Sequence, residues 1–308
     1  GQLLDMGGSN WLVDRVFQGT LSYAIRPLPW LQLGVSLGFA VRDLSVAGLN
    51  STVVRPSGGS DSTVSLSYSE AEVTIWNLYA QFGAIVEPLE GLRLGVSITT
   101  PHVRLTGQGR LDLLESLRDP TDPSQSLGQG SLLTYDDAEY HWKVPMALGL
   151  GVAYQRPRFA VAADVKLHLP VSRYAAIRHP TVSSTEYDVE RKLVVNVNVG
   201  GELWVLPDKL ALRAGLFTNF SSEPAPDEQA LVDGEERINL FGATFGGAYR
   251  TNDASLVTFA LQFMYGSGDR AQLRLRGDGQ QGLLLDYQKA TATDLSILIS
   301  IGGAVDLD

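Results

Sequence analysis

The residue types most able to do chemistry in this sequence alternate along one short segment. Asp164, Lys166 and His168 stand two residues apart, with Val165 and Leu167 between them. In a β-strand, side chains two residues apart share a face and lie about 7 Å from each other. Segments of the same kind carry three more charged residues, which are Glu202, Arg213 and Lys192. We predict that these six residues form a polar network or a binding site.

A binding site of this kind would suit an anion. In a narrow cavity a carboxylate needs a cationic partner, and both Lys and Arg provide one. We therefore predict that Lys166 or Arg213 receives the carboxylate of a ligand. The alternative is that the same charges only pair with one another and maintain the shape of the protein.

Other chemistries find little support in the sequence. The chain has four histidines, which are His102, His141, His168 and His179. They lack the spacing of metal ligands, and the absence of cysteine removes thiolate sites. Ser172 lies close to His168, but Pro170 breaks the strand between them and no nucleophile elbow surrounds the serine. We predict no enzymatic activity, no metal and no cofactor.

The charged residues belong to a set of segments in which every second residue is apolar. The clearest segment is 30–42, and others are 142–154, 193–202 and 257–265. A period of two indicates β-strands. About ten residues of alternation is the length that a tilted strand needs to cross a bilayer, with one face towards lipid and the other towards water. No apolar run is long enough for a transmembrane helix.

Two kinds of connection separate these segments. Short Pro-, Asp- and Gly-bearing turns are predicted at 26–29, 87–91, 155–158, 206–209 and 251–255. Long polar loops are predicted at 43–70, 106–138, 169–186, 220–236 and 266–292. Short turns on one side and long loops on the other are typical of outer-membrane barrels. The sequence therefore predicts an all-β, transmembrane, antiparallel up-and-down β-barrel of about eleven strands in a single domain, 1–308.

Charge and proline positions add two expectations. With 34 acidic and 24 basic residues the chain lacks the basic surface that nucleic acid requires, so no nucleic-acid partner is predicted. Pro101 and Pro145 fall inside strand patterns, where each removes a hydrogen-bond donor from the ladder. We predict a bulge or kink at each, and a lateral exit for a ligand at Pro101 is one hypothesis.

The order and spacing of the hairpins resemble the FadL/TodX family of outer-membrane transporters for long-chain fatty acids and other hydrophobic molecules. The resemblance is carried by LRLGVSI followed by LTGQGRL, by FAVAADVK, and by LALRAG followed by SSEPAP. It implies a fourteen-stranded barrel with an N-terminal plug, of which this chain would hold the last eleven strands. The plug and the first strands would then be absent from the chain.

The resemblance also implies a function and a location. The expected activity is passive diffusion of long-chain fatty acids or other hydrophobic small molecules through a barrel in the bacterial outer membrane. The expected partners are outer-membrane lipid, lipopolysaccharide and the transported molecule. Two alternatives stay open, which are a secretion-associated barrel that binds a protein through its long loops and a polar, porin-like channel.

Overall fold

A computed structural model describes residues 2–56, 63–118, 131–178, 187–226, 236–252, 255–277 and 283–305. Its fifteen strands are β1 (Gln2–Leu28), β2 (Leu31–Pro56), β3 (Thr63–Leu89), β4 (Leu92–Thr99), β5 (Val103–Arg118), β6 (Ser131–Tyr140), β7 (Ala147–Arg156), β8 (Phe159–His168), β9 (Val171–Arg178), β10 (Tyr187–Arg191), β11 (Val194–Leu206), β12 (Leu210–Asn219), β13 (Glu236–Asn252), β14 (Ser255–Gly277) and β15 (Leu283–Val305). None of the described residues forms a helix long and apolar enough to cross a membrane.

All fifteen strands belong to one antiparallel sheet. β4 and β5 pair with successive parts of β3, so they are two halves of one interrupted strand. The pairs β6 and β7, β8 and β9, and β10 and β11 are interrupted strands of the same kind. Within the described ranges, four interrupted and seven continuous strands give eleven traverses, as the sequence predicts. Among the described residues β1 pairs only with β2 and β15 only with β14.

The two faces of the sheet differ as the alternation predicts. Large apolar side chains such as Val161, Val197 and Phe259 are exposed on one face, which is the face that meets lipid in a membrane barrel. The opposite face, called the inner face here, carries Asp164 and Asn198 at directly paired positions. The prediction of an antiparallel up-and-down β-sheet is confirmed.

Tight turns join the traverses at the end that the sequence predicts to have short connections. Gly91 has a φ of 81° and Asp208 a φ of 57°, which are values that glycine and aspartate tolerate better than most residues. A Cβ on Gly91 would also lie 2.3 Å from the carbonyl oxygen of Gln155 in the neighbouring turn. Packing of adjacent turns therefore requires glycine at this position.

Three of the predicted long loops are wrong in extent, because most of their residues are paired strand. Segment 43–70 is β-strand on both sides of 57–62, and β14 and β15 occupy most of 266–292. β5 and β6 likewise fill much of 106–138. Beyond the apolar band the outer face meets water, so alternation of apolar residues is lost while backbone pairing continues. A pattern search therefore ends the strands too early.

The extended ends of these strands are held by side-chain pairs on their outer face. Asp112 of β5 accepts hydrogen bonds from Thr134 Oγ1 at 2.6 Å and from Arg110 Nε at 2.8 Å. The Thr134 hydrogen bond, followed by the Arg110 hydrogen bond and charge, holds the pKa of the Asp112 carboxyl below its ordinary value of 3.8. The carboxylate thus joins β5 to β6 beyond the membrane.

We expect the orientation of the two faces to be measurable in one strand. Phe263→Arg places a cation towards lipid and should lower the free energy of unfolding in vesicles by about 2–4 kcal/mol, because lipid cannot solvate the charge. The control is Gln262→Arg, on the inner face of the same strand, which should change this free energy by less than about 1 kcal/mol. Equal losses would contradict the assignment of faces.

We also expect acid to loosen the β5–β6 hairpin through Asp112. A carboxyl whose pKa is lower in the folded state stabilises that state fully above its unfolded pKa, and the contribution is lost as pH falls through the folded value. Protease cleavage between β5 and β6 should therefore accelerate below about pH 3.8. An acid-stable protease such as pepsin is the probe. Asp112→Asn should abolish the acceleration, and an unchanged acid response in that variant would contradict the role of Asp112.

Candidate functional site

The inner face of the apolar band lines two open cavities that share Asp164. One cavity, of about 750 Å³, is lined by β8, β11, β12, β13, β14 and β15 and includes Arg213. The other, of about 530 Å³, is lined by β1, β2, β3, β4, β7 and β8 and includes Lys166. Almost the whole sheet therefore contributes to one internal space.

Small residues create this space. Three glycine pairs face each other across neighbouring strands on the inner face, which are Gly34 and Gly83, Gly95 and Gly151, and Gly200 and Gly215. All six line the cavities. Larger side chains at these inner positions would fill the interior, as they do in small barrels. The spacing of glycines thus leaves room for a guest molecule.

Most of the predicted polar residues are engaged with a neighbour on the inner face. Arg213 Nε donates to Glu202 Oε2 at 2.6 Å, and Trp204 Nε1 donates to the other oxygen of Glu202 at 2.9 Å. Asn198 Nδ2 donates to Asp164 Oδ1 at 2.7 Å. These groups form a cluster of three residues and a separate pair rather than one continuous ladder.

Lys166 differs from these residues. No acidic side chain in the described part of the chain lies within ion-pair distance of its ammonium group. Its cross-strand neighbours are Gly149 on one side and Asn196 on the other, and it lines the 530 Å³ cavity. His168 follows it on the same face, beside Ala147 and Val194. Lys166 is therefore the predicted cation whose charge is unpaired within the described residues, and it faces the 530 Å³ cavity.

Lys192 lies apart from the other predicted residues. It stands in the interruption between β10 and β11, where its Nζ contacts Glu190 Oε1 at 2.5 Å. The structure does not bring it to Asp164, Lys166 or Arg213. His179 lies outside the described residues.

The four interrupted strands are adjacent, and their breaks lie next to one another. Pro101 stands in the break between β4 and β5, and Pro145 in the break between β6 and β7. The β4–β7 ladder ends at the pair Thr99 and Ala147, and the β5–β6 ladder begins at the pair Gln108 and Glu139. No strand ladder joins the two traverses between these two pairs. Val103, beyond Pro101, again pairs with an outward residue, Leu78. The alternation has therefore shifted by one residue across the break.

Segment 141–146, called the inward segment here, turns from the wall towards the interior. The predicted strand over 142–154 begins only at Ala147, so this part of the prediction is wrong. Asn77 Nδ2 donates to the backbone oxygen of Trp142 at 3.0 Å, although their strands are two apart in the sheet. Two strand spacings are about 10 Å, and an asparagine side chain is too short to span them. The backbone at Trp142 must therefore lie over the inner face.

The inward segment is packed against the inner face by aromatic and apolar contacts. Tyr140 is 2% exposed and clusters with Val73 and Ile75 of β3, and the Trp142 ring packs against this cluster. His102 stacks on Tyr79, with ring centroids 4.5 Å apart and an interplanar angle of 4°, and meets Trp142 edge to face at 5.7 Å. We call Tyr79, His102, Tyr140 and Trp142, together with Asn77, the aromatic constriction.

One arginine packs against the Trp142 ring of the aromatic constriction. The Arg42 guanidinium lies 5.3 Å from the centre of the Trp142 ring. It also donates to both carboxylate oxygens of Asp14, at 2.9 and 2.8 Å. The charge of Arg42 is thus neutralised, and its planar face is used for stacking.

Comparisons with known proteins agree with this architecture. The toluene transporter TodX of Pseudomonas putida superposes with a TM-score of 0.55 and 14% identity, covering 99% of this chain and 78% of that one. The toluene transporter TbuX of Ralstonia pickettii gives a TM-score of 0.54 and 14% identity, covering 97% and 69%. The chain has the FadL/TodX-type fold. No protein-family model and no curated protein matches its sequence.

A FadL/TodX-type fold makes the sheet the wall of a barrel and its inner face the lining of the lumen. The two cavities then lie in the lumen, and the aromatic constriction narrows it at the level of the strand breaks. In the described part of the chain no group of three or more His, Asp or Glu residues could hold a metal ion.

The residues of the aromatic constriction were not predicted from the sequence as a site. Trp142, Val144 and Met146 continue the alternation of Leu148 and Leu150, so the pattern places them towards lipid. Pro145 was the available signal, because a proline inside a strand requires a break. Pro145 does not indicate whether the chain leaves the wall towards the interior or towards lipid.

The inward segment should depend on a glycine beneath it. A Cβ on Gly107 would lie 2.3 Å from the carbonyl oxygen of Tyr140. We expect Gly107→Ala to lower the free energy of unfolding in vesicles by about 1–3 kcal/mol, because backbone would have to move. Gly95→Ala is the control, since its nearest atoms are 4.0 Å away. Equal effects of the two substitutions would contradict the close approach.

Proposed function

We propose that this protein forms a pore in the bacterial outer membrane through which hydrophobic small molecules, including long-chain fatty acids, cross passively. The observation that carries the proposal is the glycine-lined space inside an apolar-walled sheet. The outer face has the exposed apolar residues that lipid requires, and the inner face leaves cavities of about 750 and 530 Å³. The fold shared with two toluene transporters supports the same function.

The driving force in this proposal is binding and not a chemical step. A hydrophobic molecule leaves water for a lumen that contains, at the level of the strand breaks, the apolar cluster of Val73, Ile75 and Tyr140. It then reaches the wider space lined by glycine. Movement follows the concentration gradient, because each site binds the molecule reversibly.

Lys166 is our candidate for recognition of a fatty-acid carboxylate. Its ammonium group has no acidic partner in the described ranges, and it faces the 530 Å³ cavity. Arg213 lines the other cavity but already donates to Glu202, so a carboxylate would compete with an existing ion pair. A hydrogen bond between a free cation and a carboxylate in a confined lumen is stronger than one between neutral groups. Lys166 is therefore the better partner.

The narrow lumen favours this proposal over a polar channel. Val73, Ile75 and Tyr140 are almost completely buried on the inner face, and Trp142 packs against them. Hydrated ions lose favourable solvation where apolar side chains line a constriction. We therefore expect little ion conductance through the part of the lumen at the strand breaks.

We expect cells that lack their own outer-membrane transporter to take up labelled oleate when they express this protein. At subsaturating oleate, Lys166→Met should reduce uptake about tenfold, because a charge-assisted hydrogen bond is lost. Uptake of labelled toluene, which has no carboxylate, should be unchanged.

The control variant is Lys209→Met, which removes a lysine from a turn outside the lumen and should change neither uptake. Insertion is checked by resistance to heat and protease. A correctly inserted protein that takes up neither compound would contradict the proposed function. Ion conductance in planar bilayers would then indicate a porin-like channel.

A further inference from the structure

A third cavity lies on the outer face of the sheet, on the side of the wall away from the lumen. It is an open groove of about 640 Å³, called the outer groove here. Sites for small ligands commonly measure about 300–1,000 Å³, so the outer groove has the size of a binding site. The side chains around it are apolar and exposed, and they are those of Phe159, Val161, Leu203, Leu212, Phe245 and Phe259.

Two small residues form the floor of the outer groove. Val161 of β8 pairs with Gly201 of β11, Gly201 pairs with Ala214 of β12, and Ala214 pairs with Phe245 of β13. Residues paired in this way share a face of the sheet. Three strand spacings separate Val161 from Phe245, which is about 14 Å. The floor between them carries no side chain larger than a methyl group, so a hydrocarbon chain lying there would contact both walls and the floor.

The outer groove ends beside an arginine at the short-turn end of the sheet. Phe159 directly follows the turn 155–158, which holds Arg156 and Arg158 and no acidic residue. The Arg156 guanidinium lies 5.1 Å from the centre of the Tyr154 ring, and this ring lies 6.0 Å from the ring of Phe159. A line of ring contacts therefore joins the guanidinium to the groove.

The charge of Arg156 is not neutralised within the described part of the chain. Its Nε donates to the Tyr154 hydroxyl, and no acidic side chain there lies within ion-pair distance of Arg156 or Arg158. Glu202 lines a neighbouring cavity of about 330 Å³ together with Arg156, but it is bonded to Arg213. The terminal nitrogens of Arg156 are thus available to an anion, and a guanidinium fits the oxygens of a phosphate group in a bidentate manner.

An apolar groove that ends at an unpaired cation matches the two parts of a phospholipid. The acyl chain suits the floor over Gly201 and Ala214, and the phosphate suits Arg156. The height in the membrane is consistent with this, because aromatic side chains such as Tyr154 and Phe159 are favoured at the level of the headgroups. A lipid without phosphate would leave Arg156 without a counter-ion.

We propose that the outer groove binds one phospholipid of the membrane leaflet at the short-turn end. An acyl chain lies over Gly201 and Ala214, the phosphate accepts hydrogen bonds from Arg156, and Arg158 adds a second positive charge in the same turn. The inference rests on the membrane location in the proposed function and not on passage through the lumen. The bound lipid fills the outer surface where small residues leave the wall thin.

Two probes with the same acyl chains test the headgroup part of the site. Dioleoylphosphatidylglycerol carries a phosphate that dioleoylglycerol lacks. We expect native mass spectrometry of the detergent-solubilised protein, titrated with each probe, to show one lipid that binds about tenfold more tightly when it carries phosphate. Arg156→Gln should remove most of this difference, because the charge-assisted hydrogen bonds are lost.

The matched control for the charge is Arg26→Gln. Arg26 also lies at a short turn and also donates to a local acceptor, which is the backbone oxygen of Pro29. This variant should keep the tenfold preference. Equal binding of the two probes by the unmodified protein would overturn the inference. Equal losses in Arg156→Gln and Arg26→Gln would overturn it too, since they would indicate only general attraction between the lipid charge and this end of the protein.

A second pair of variants tests the groove itself. Ala214→Leu fills the floor and should weaken binding of both probes about tenfold without changing their ratio, because it displaces the acyl chain. Its control is Ala163→Leu, since Ala163 lies on the outer face between Val152 and Val199 and does not line the groove. Equal effects of the two substitutions would overturn the inference. A dimer that Ala214→Leu dissociates would overturn it as well, because a second copy would then cover the groove.

Failure of the proposed function gives a different result from failure of this site. If the phosphate-dependent lipid binds but cells take up neither oleate nor toluene, the lipid site stands and the pore does not. If both oleate and toluene enter cells while the two lipid probes bind equally, the pore stands and the lipid site is excluded.

Discussion

The fold depends on the need to pair every backbone polar group inside a membrane. Lipid offers no hydrogen bonds, so a spanning sheet must satisfy its own N–H and C=O groups. Long continuous ladders do this in β1, β2, β13, β14 and β15. The interrupted strands meet the same requirement in another way. His102 donates its backbone N–H to Val144, and Leu169 donates to Met146, so the broken wall remains hydrogen-bonded.

This requirement separates the roles of the two faces. The outer face must be apolar over the whole band, and therefore polar chemistry is confined to the inner positions of the same strands. Those positions are divided between glycine, which leaves space, and pairs such as Arg213 with Glu202. Because Asp164 and Glu202 are engaged, Lys166 has no acidic partner among the described residues and stands beside a cavity. Its charge is tolerated because the lumen, unlike lipid, can hold water.

The sequence supports prediction of those features that repeat along a strand. The alternation around Val161 and Asp164 assigns their faces correctly, and the short turns such as 87–91 give the number of traverses. Features that depend on contacts between distant strands are not accessible in this way. Trp142 falls at a lipid-facing position of the apolar alternation. Its backbone nevertheless lies over β3, where Asn77 binds it. The strand ends beyond the membrane are missed for a related reason, since water on both sides removes the pattern while the ladder continues.

The length of the first hairpin affects where a molecule would enter. Pairing of β1 with β2 runs from Leu28 and Leu31 at the turn to Gln2 and Pro56 at the far end. A strand of this length, tilted as in membrane barrels, rises roughly 35 Å above a hydrocarbon core of about 30 Å. The wall therefore extends beyond the hydrocarbon core, through the polar headgroup layer that borders it. A hydrophobic solute that entered at the far end of this hairpin would be shielded by the wall from that hydrated layer.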